Sequence, residues 1–195
     1  MNAEKPGQIF WGYKVKRRVI DPQCHWIPPH VKEVCTLTEC DHEDIDYFDL
    51  GFYDYFERGA LATEAEADDV VQKCAGLGLN PRQLAIYAIW AHSQWFERGG
   101  IPHAEPHPRL PNNSMAPAWP EAFERLGWDL LQVDEHGFGC SPLSCNGMGR
   151  EVAVNEYCLI ETLEEALKAG AFFAVEQPEP GDYLLAEVWR RREML

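Results

Sequence analysis

The stretch NPRQLAIYAIWAHSQWFERGG, residues 80–100, decides how the rest of the chain is read. Asn80 is a favourable helix N-cap and Pro81 suits a first helical position. Leu84, Tyr87, Ala88, Ala91 and Trp95 recur at helical spacing, and Gly99-Gly100 supplies a stop. The pattern predicts an apolar core helix.

Immediately upstream, TEAEADDVVQKCAGLG at 63–78 predicts a second helix. Thr63 and Glu66 have capping-box spacing, and Gly76 and Gly78 end it. A helix pair over 64–97 invites comparison with DNA-reading helix-turn-helix units. The second helix would be dominated by LAIYAIWAHSQWF, with Arg82 and Arg98 only at its ends. Such a helix belongs in a core, so direct nucleic-acid recognition is excluded.

Towards the N-terminus, IFWGYKVKRRVI at 9–20 alternates Tyr13, Val15, Arg17 and Val19 against Gly12, Lys14, Lys16 and Arg18. That predicts a half-buried strand with a basic outer face. DPQ and IPPH make a loop over 21–30, and VKEVCTLTEC reads as a second strand. Downstream, the proline-rich residues 101–120 read as an extended surface linker. PEAFERLG then predicts a short helix, WDLLQVD a strand, and EVAVNEYCLI partly a strand. ETLEEALKAGAFFAVEQ predicts an amphipathic helix and YLLAEVWRR a final strand. The expected architecture is α+β: a single compact domain of two packed lobes, with a small mixed or antiparallel sheet and helices on one side. The lobes would be residues 1–100 and 121–195, joined by 101–120.

The 195 residues carry a net charge of −15, and most of it is concentrated. Residues 39–69 hold twelve acids against Arg58 alone, whereas residues 1–38 are net basic. Such a sector repels nucleic acid and anionic membrane and attracts a basic protein. No apolar run reaches the length of a membrane span. The N-terminus begins MNAEK, without a secretory pattern, so a cytoplasmic location is expected. Seven cysteines cannot all pair with one another, and in a reducing compartment they would remain thiols.

Within the acidic sector, six of the ten residues from Tyr47 to Phe56 are aromatic. Ile45, Phe48, Phe52 and Tyr55 fall at roughly helical spacing, so a short helix is expected there. Asp41, Glu43, Asp44, Asp46, Asp49 and Asp54 would steer a basic partner, with Tyr47, Tyr53 and Tyr55 as contact anchors. Spaced carboxylates can also occupy phosphate positions. The expected function is an acidic protein-binding module, an inhibitor or immunity-type protein acting on a nuclease or other nucleic-acid-binding protein.

The alternative is an enzyme built on GFGCSPLSCNGMG, residues 137–149. A cysteine nucleophile needs a nearby base, and Cys140 or Cys145 could use His136, with Asp134 upstream. The loop does not complete a nucleophile-elbow pattern, and Asn146-Gly147 is a tight-turn signal, which favours a shaped turn. Zinc is the one metal with a candidate ligand set. Cys35, Cys40, Cys140 and Cys145 form two C-x4-C pairs that could meet, and Cys24, His25, His30 and His42 lie near the first pair. No C-x-x-C knuckle is present, so no cofactor is expected. His103, Glu105 and His107 are ligand types of a non-haem iron site, but their proline-rich setting reads as a polar loop.

Overall fold

The computed structural model describes residues 7–38, 45–47, 49–52, 59–110, 116–117, 120–134 and 137–192. An antiparallel sheet organises them, with path β1 (Gln8–Arg17), β4 (Leu84–Glu97), β8 (Asp182–Arg191), β6 (Phe123–Asp134) and β7 (Gly137–Phe138). The short β5 (Ile101–His103) folds back on β4. A separate two-stranded ladder joins β2 (Val19–Ile20) to β3 (Glu33–Val34). The helices are α1 (Glu64–Gly76), the short α2 (Pro142–Cys145) and α3 (Leu163–Glu176). This is the expected α+β fold.

The central correction concerns residues 84–97, which form strand β4 and not a helix. The start signals are genuine: the Asn80 side chain accepts a bond from Arg82 N, but the turn it caps is a 3₁₀ turn over Pro81–Gln83. Beyond it, Ala85, Tyr87, Ile89 and Ala91 point to one side of the sheet, and Ile86, Ala88 and Trp90 to the other. Both sides are covered, so both sets are apolar. A strand buried on both faces lacks the polar alternation that distinguishes it from a helix.

Three further expectations change. PEAFERLG is a 3₁₀ turn at Pro120–Ala122 running straight into β6, whose residues from Phe123 pair with β8. EVAVNEYCLI forms turns, with one bridge from Ile160 to Trp128. Asn155 shapes that loop by donating to Leu126 O and accepting from Tyr157 N and Leu159 N. Of the described part of VKEVCTLTEC, residues 31–38, only Glu33–Val34 lies in a ladder.

Helices α1 and α3 cover the same face of the sheet. Ala67, Val70 and Cys74 of α1 pack with Tyr13, Val15, Ile86, Ala88 and Trp90. Ala166, Ala169 and Phe173 of α3 pack with Phe96, Leu130, Tyr183 and Leu185. The opposite face is covered by irregular chain, where Cys35, Leu37, Leu110 and Leu159 close over Trp11, Tyr87, Ile89, Leu184 and Val188. Leu110 is therefore a core residue and His107 is also buried, while most of residues 101–110 are exposed.

Two glycine bulges admit the capping segments. The β1–β4 register shifts between Phe10 and Gly12, and Tyr13 then exchanges both backbone bonds with Leu61 at 2.8 Å each. The β6–β8 register shifts between Arg125 and Gly127, and Trp128 exchanges bonds with Ile160 at 2.7 and 2.8 Å. A Cβ on Gly12 would lie 2.3 Å from Leu61 O, and one on Gly127 2.8 Å from Ile160 O. Both glycines have positive φ, which other residues rarely adopt.

Candidate functional site

Asp46, Tyr47 and Asp49 are the described members of the predicted acidic-aromatic site; Asp41, Glu43, Asp44, Tyr53, Asp54 and Tyr55 lie outside the described residues. The described part forms turns rather than a regular helix. Asp46 and Asp49 are exposed, and Asp49 N donates to Asp46 Oδ1 at 3.1 Å. Tyr47 points inwards and is 2% exposed. Its hydroxyl donates to Val15 O at 2.6 Å and accepts from Val15 N at 2.8 Å. A side chain thus satisfies both backbone groups of one residue on β1, and Tyr47 serves as a structural pin, not as an exposed anchor.

Lys73 of α1 holds the same segment from the other side. Its ammonium donates to Leu50 O at 2.9 Å, sits 4.3 Å from the Phe52 ring centroid and pairs with Asp69. Arg191 bridges Glu64 and Asp68 from β8.

The face of the sheet opposite α1 and α3 carries charges that the alternation had assigned to solvent. Lys14 and Lys16 are each 2% exposed. Lys14 Nζ donates to Leu37 O and Lys16 Nζ to Thr36 O, both at 2.8 Å. Asp129, fully buried on β6, accepts from Leu37 N, Leu130 N and Ser141 Oγ. Burial pushes its carboxyl up to about 6, against those donors and Lys16, which pull it down. Nearby, Glu33 accepts from both Arg18 and Arg190, and Arg190 also binds Glu124. Burial raises the Glu33 carboxyl, but the two guanidiniums together hold it below its ordinary value. This layer locks residues 33–38 onto the sheet. The basic outer face expected for β1 is an inner one, because each lysine finds a carbonyl on the covering chain.

Cys140 is disulfide-bonded, so it offers no thiolate, contrary to the expectation of thiols throughout. Cys145 ends α2, with its sulfur 2.7 Å from Thr38 Oγ1. Ser141 and Ser144 are buried, the latter 2.7 Å from Thr36 Oγ1. His136 lies outside the described residues, and Asp134 ends β6. Gly139 N donates to Gln132 O and Gln132 N to Cys140 O, closing the turn, and Gly147 takes a left-handed conformation with φ 83°.

Among the described residues no group of three or more His, Cys, Asp or Glu is arranged to hold a metal. Cys40 lies outside them. Cys35 is buried with its thiol pushed up to about 12, first by desolvation and then by Glu33; Tyr87 Oη donates to its sulfur. His25 packs edge-on against Trp26, and His30 Nε2 bonds Val154 O. His103 and His107 flank one indole: His103 stacks on Trp95 at 4.1 Å and His107 meets it edge-on at 4.6 Å. Glu105 contributes its carbonyl to Trp95 Nε1, not a carboxylate to a metal.

No protein-family model, curated protein or solved structure matches this chain. Among the described residues no helix is long and apolar enough to cross a membrane.

Proposed function

We propose that this chain is an acidic protein-binding module, an inhibitor or immunity-type protein that engages a basic partner such as a nuclease. The observation that supports the reading is the double fixing of residues 45–47 and 49–52. Tyr47 ties them to Val15 from below and Lys73 ties them to α1 from the side, while Asp46 and Asp49 stay exposed. Carboxylates held on a fixed backbone lose little freedom on docking, and their field draws in a cationic partner over about a Debye length. A nucleic-acid-binding surface suits them, because it is shaped to receive regularly spaced anionic groups.

The test is capture from source cells at low salt by the immobilised protein, beside its Asp46→Asn/Asp49→Asn variant. The wild type is expected to retain a basic protein that elutes as salt rises. The variant should associate with it roughly tenfold more slowly at low salt, and about equally at high salt. Retention of no basic protein, or identical association by the variant, would refute the proposal.

A further inference from the structure

A second surface lies on α3, away from residues 45–52, and the inference drawn from it does not rest on the role proposed for them. Between α3 and residues 151–153 runs an open groove of about 320 Å³. Val152, Ile160, Ala169 and Phe172 make its floor and wall, and Glu151 and Glu165 stand at its rim. The apolar surface continues beyond it. Phe172 and Val175, three residues apart on α3, are 41% and 60% exposed, and Ile101 on β5 is 55% exposed. The position of a Cβ on Gly100 is 2.8 Å from Val175 Cγ2, so the β4–β5 turn adjoins the helix there.

We infer that this groove docks an amphipathic segment of a protein partner, with apolar side chains on the Ile160–Phe172 floor and basic side chains against Glu151 and Glu165. Charge selects the occupant. Lys168, the cation in the lining, pairs with Glu164 at 2.7 Å, and Arg150 beside the rim reaches away to Ile27 O. Glu165 accepts from Thr162 Oγ1 at 2.7 Å and neighbours Lys168, so with Glu151 the lining carries two carboxylates against one cation and is net negative. An acidic segment would be repelled, and a neutral apolar one would leave the Glu151 carboxylate facing it without compensation. Extent selects a chain over a small molecule. The cavity accepts one or two side chains, but Phe172, Val175 and Ile101 prolong the apolar strip past it, as an amphipathic helix laid in a groove requires.

The probes are synthetic 14-residue amphipathic peptides: one of leucine and lysine, one with glutamate in place of lysine, one with serine in place of leucine, and octylammonium as a small-molecule control. Amide chemical shifts of the protein are followed during titration. The leucine–lysine peptide is expected to bind saturably, shifting residues 151–153 and 165–175. Ala153→Arg/Phe172→Asp should weaken it at least tenfold, and Asp46→Asn/Asp49→Asn should change it less than twofold. If the groove variant unfolds, Glu151→Lys in the exposed loop should still weaken binding about fivefold. Absence of saturable binding, equal binding of either control peptide, shifts centred elsewhere, or octylammonium binding as tightly as the peptide would each overturn the inference.

Discussion

Tyr47 and His107 illustrate how burial reassigns residues that look like surface chemistry. Tyr47 stands in an acidic, aromatic run, yet its hydroxyl is committed to both backbone groups of Val15. His107 stands in a proline-rich loop, yet it is buried, with Nε2 3.4 Å from Asp182 Oδ2 and Arg109 N donating to Nδ1. Desolvation lowers the His107 pKa below its ordinary value, against the pull of Asp182. The sign of the linkage follows. The neutral ring is the form the fold favours, so its contribution is full above the unfolded value of about 6.5 and is lost as pH falls through the lower folded value. Asp129 works the other way. Its raised carboxyl contributes most when protonated, below about 4, and loses that contribution as pH rises through about 6. Comparison with a single variant separates the two. His107→Phe keeps a ring against Trp95, and the stability gap between wild type and variant in urea should move in the variant's favour from pH 7 to pH 5. A gap independent of pH would show that the folded state does not shift the His107 pKa from its unfolded value.

At the scale of elements, the same device appears on both sides of the sheet. A glycine bulge opens β1 at Gly12 and β6 at Gly127, and an external segment supplies a two-bond bridge to the next residue. The outer backbone groups of β1 are thereby taken by Leu61 and Tyr47, so that edge offers less template for pairing with another chain. Gly12→Ala puts a methyl 2.3 Å from Leu61 O in a conformation with φ 152°, so backbone must shift. A cost of roughly 2–4 kcal/mol is expected, from lost bridge bonds and backbone strain. Urea denaturation checks it, and an alanine variant within 0.5 kcal/mol of wild type, a threshold of about the noise for surface changes, would remove the bulge from the account.

The whole molecule is sewn together by its last strand. β8 lies between β4 and β6 and so pairs an early strand with a late one, while the 33–38 segment is bonded to Asp129 and to the 156–157 turn. Unfolding that frees β8 exposes both neighbours together. Far-UV circular dichroism and tryptophan fluorescence should therefore report one coincident urea transition. Two separated transitions would show that the chain's halves hold their structure independently.

Some of this was determined by the sequence alone. The Thr63–Glu66 capping box, the amphipathic α3, the alternating β1 and the charge concentrated in residues 39–69 were legible because each depends on neighbours within a few residues. Capping, helical amphipathicity and charge density are local quantities, and local order specifies them. β4 was not legible, because an apolar run carries helix and strand readings alike until a second sheet face exists to be covered. Nor was the burial of Lys14 and Lys16, whose carbonyl partners lie twenty or more residues along the chain, or that of Asp129, whose donors Leu37 and Ser141 arrive from two other segments. Tertiary structure decided those positions for one physical reason. A buried charge is tolerable only where partners converge on it, and that convergence depends on contacts between segments far apart in the chain.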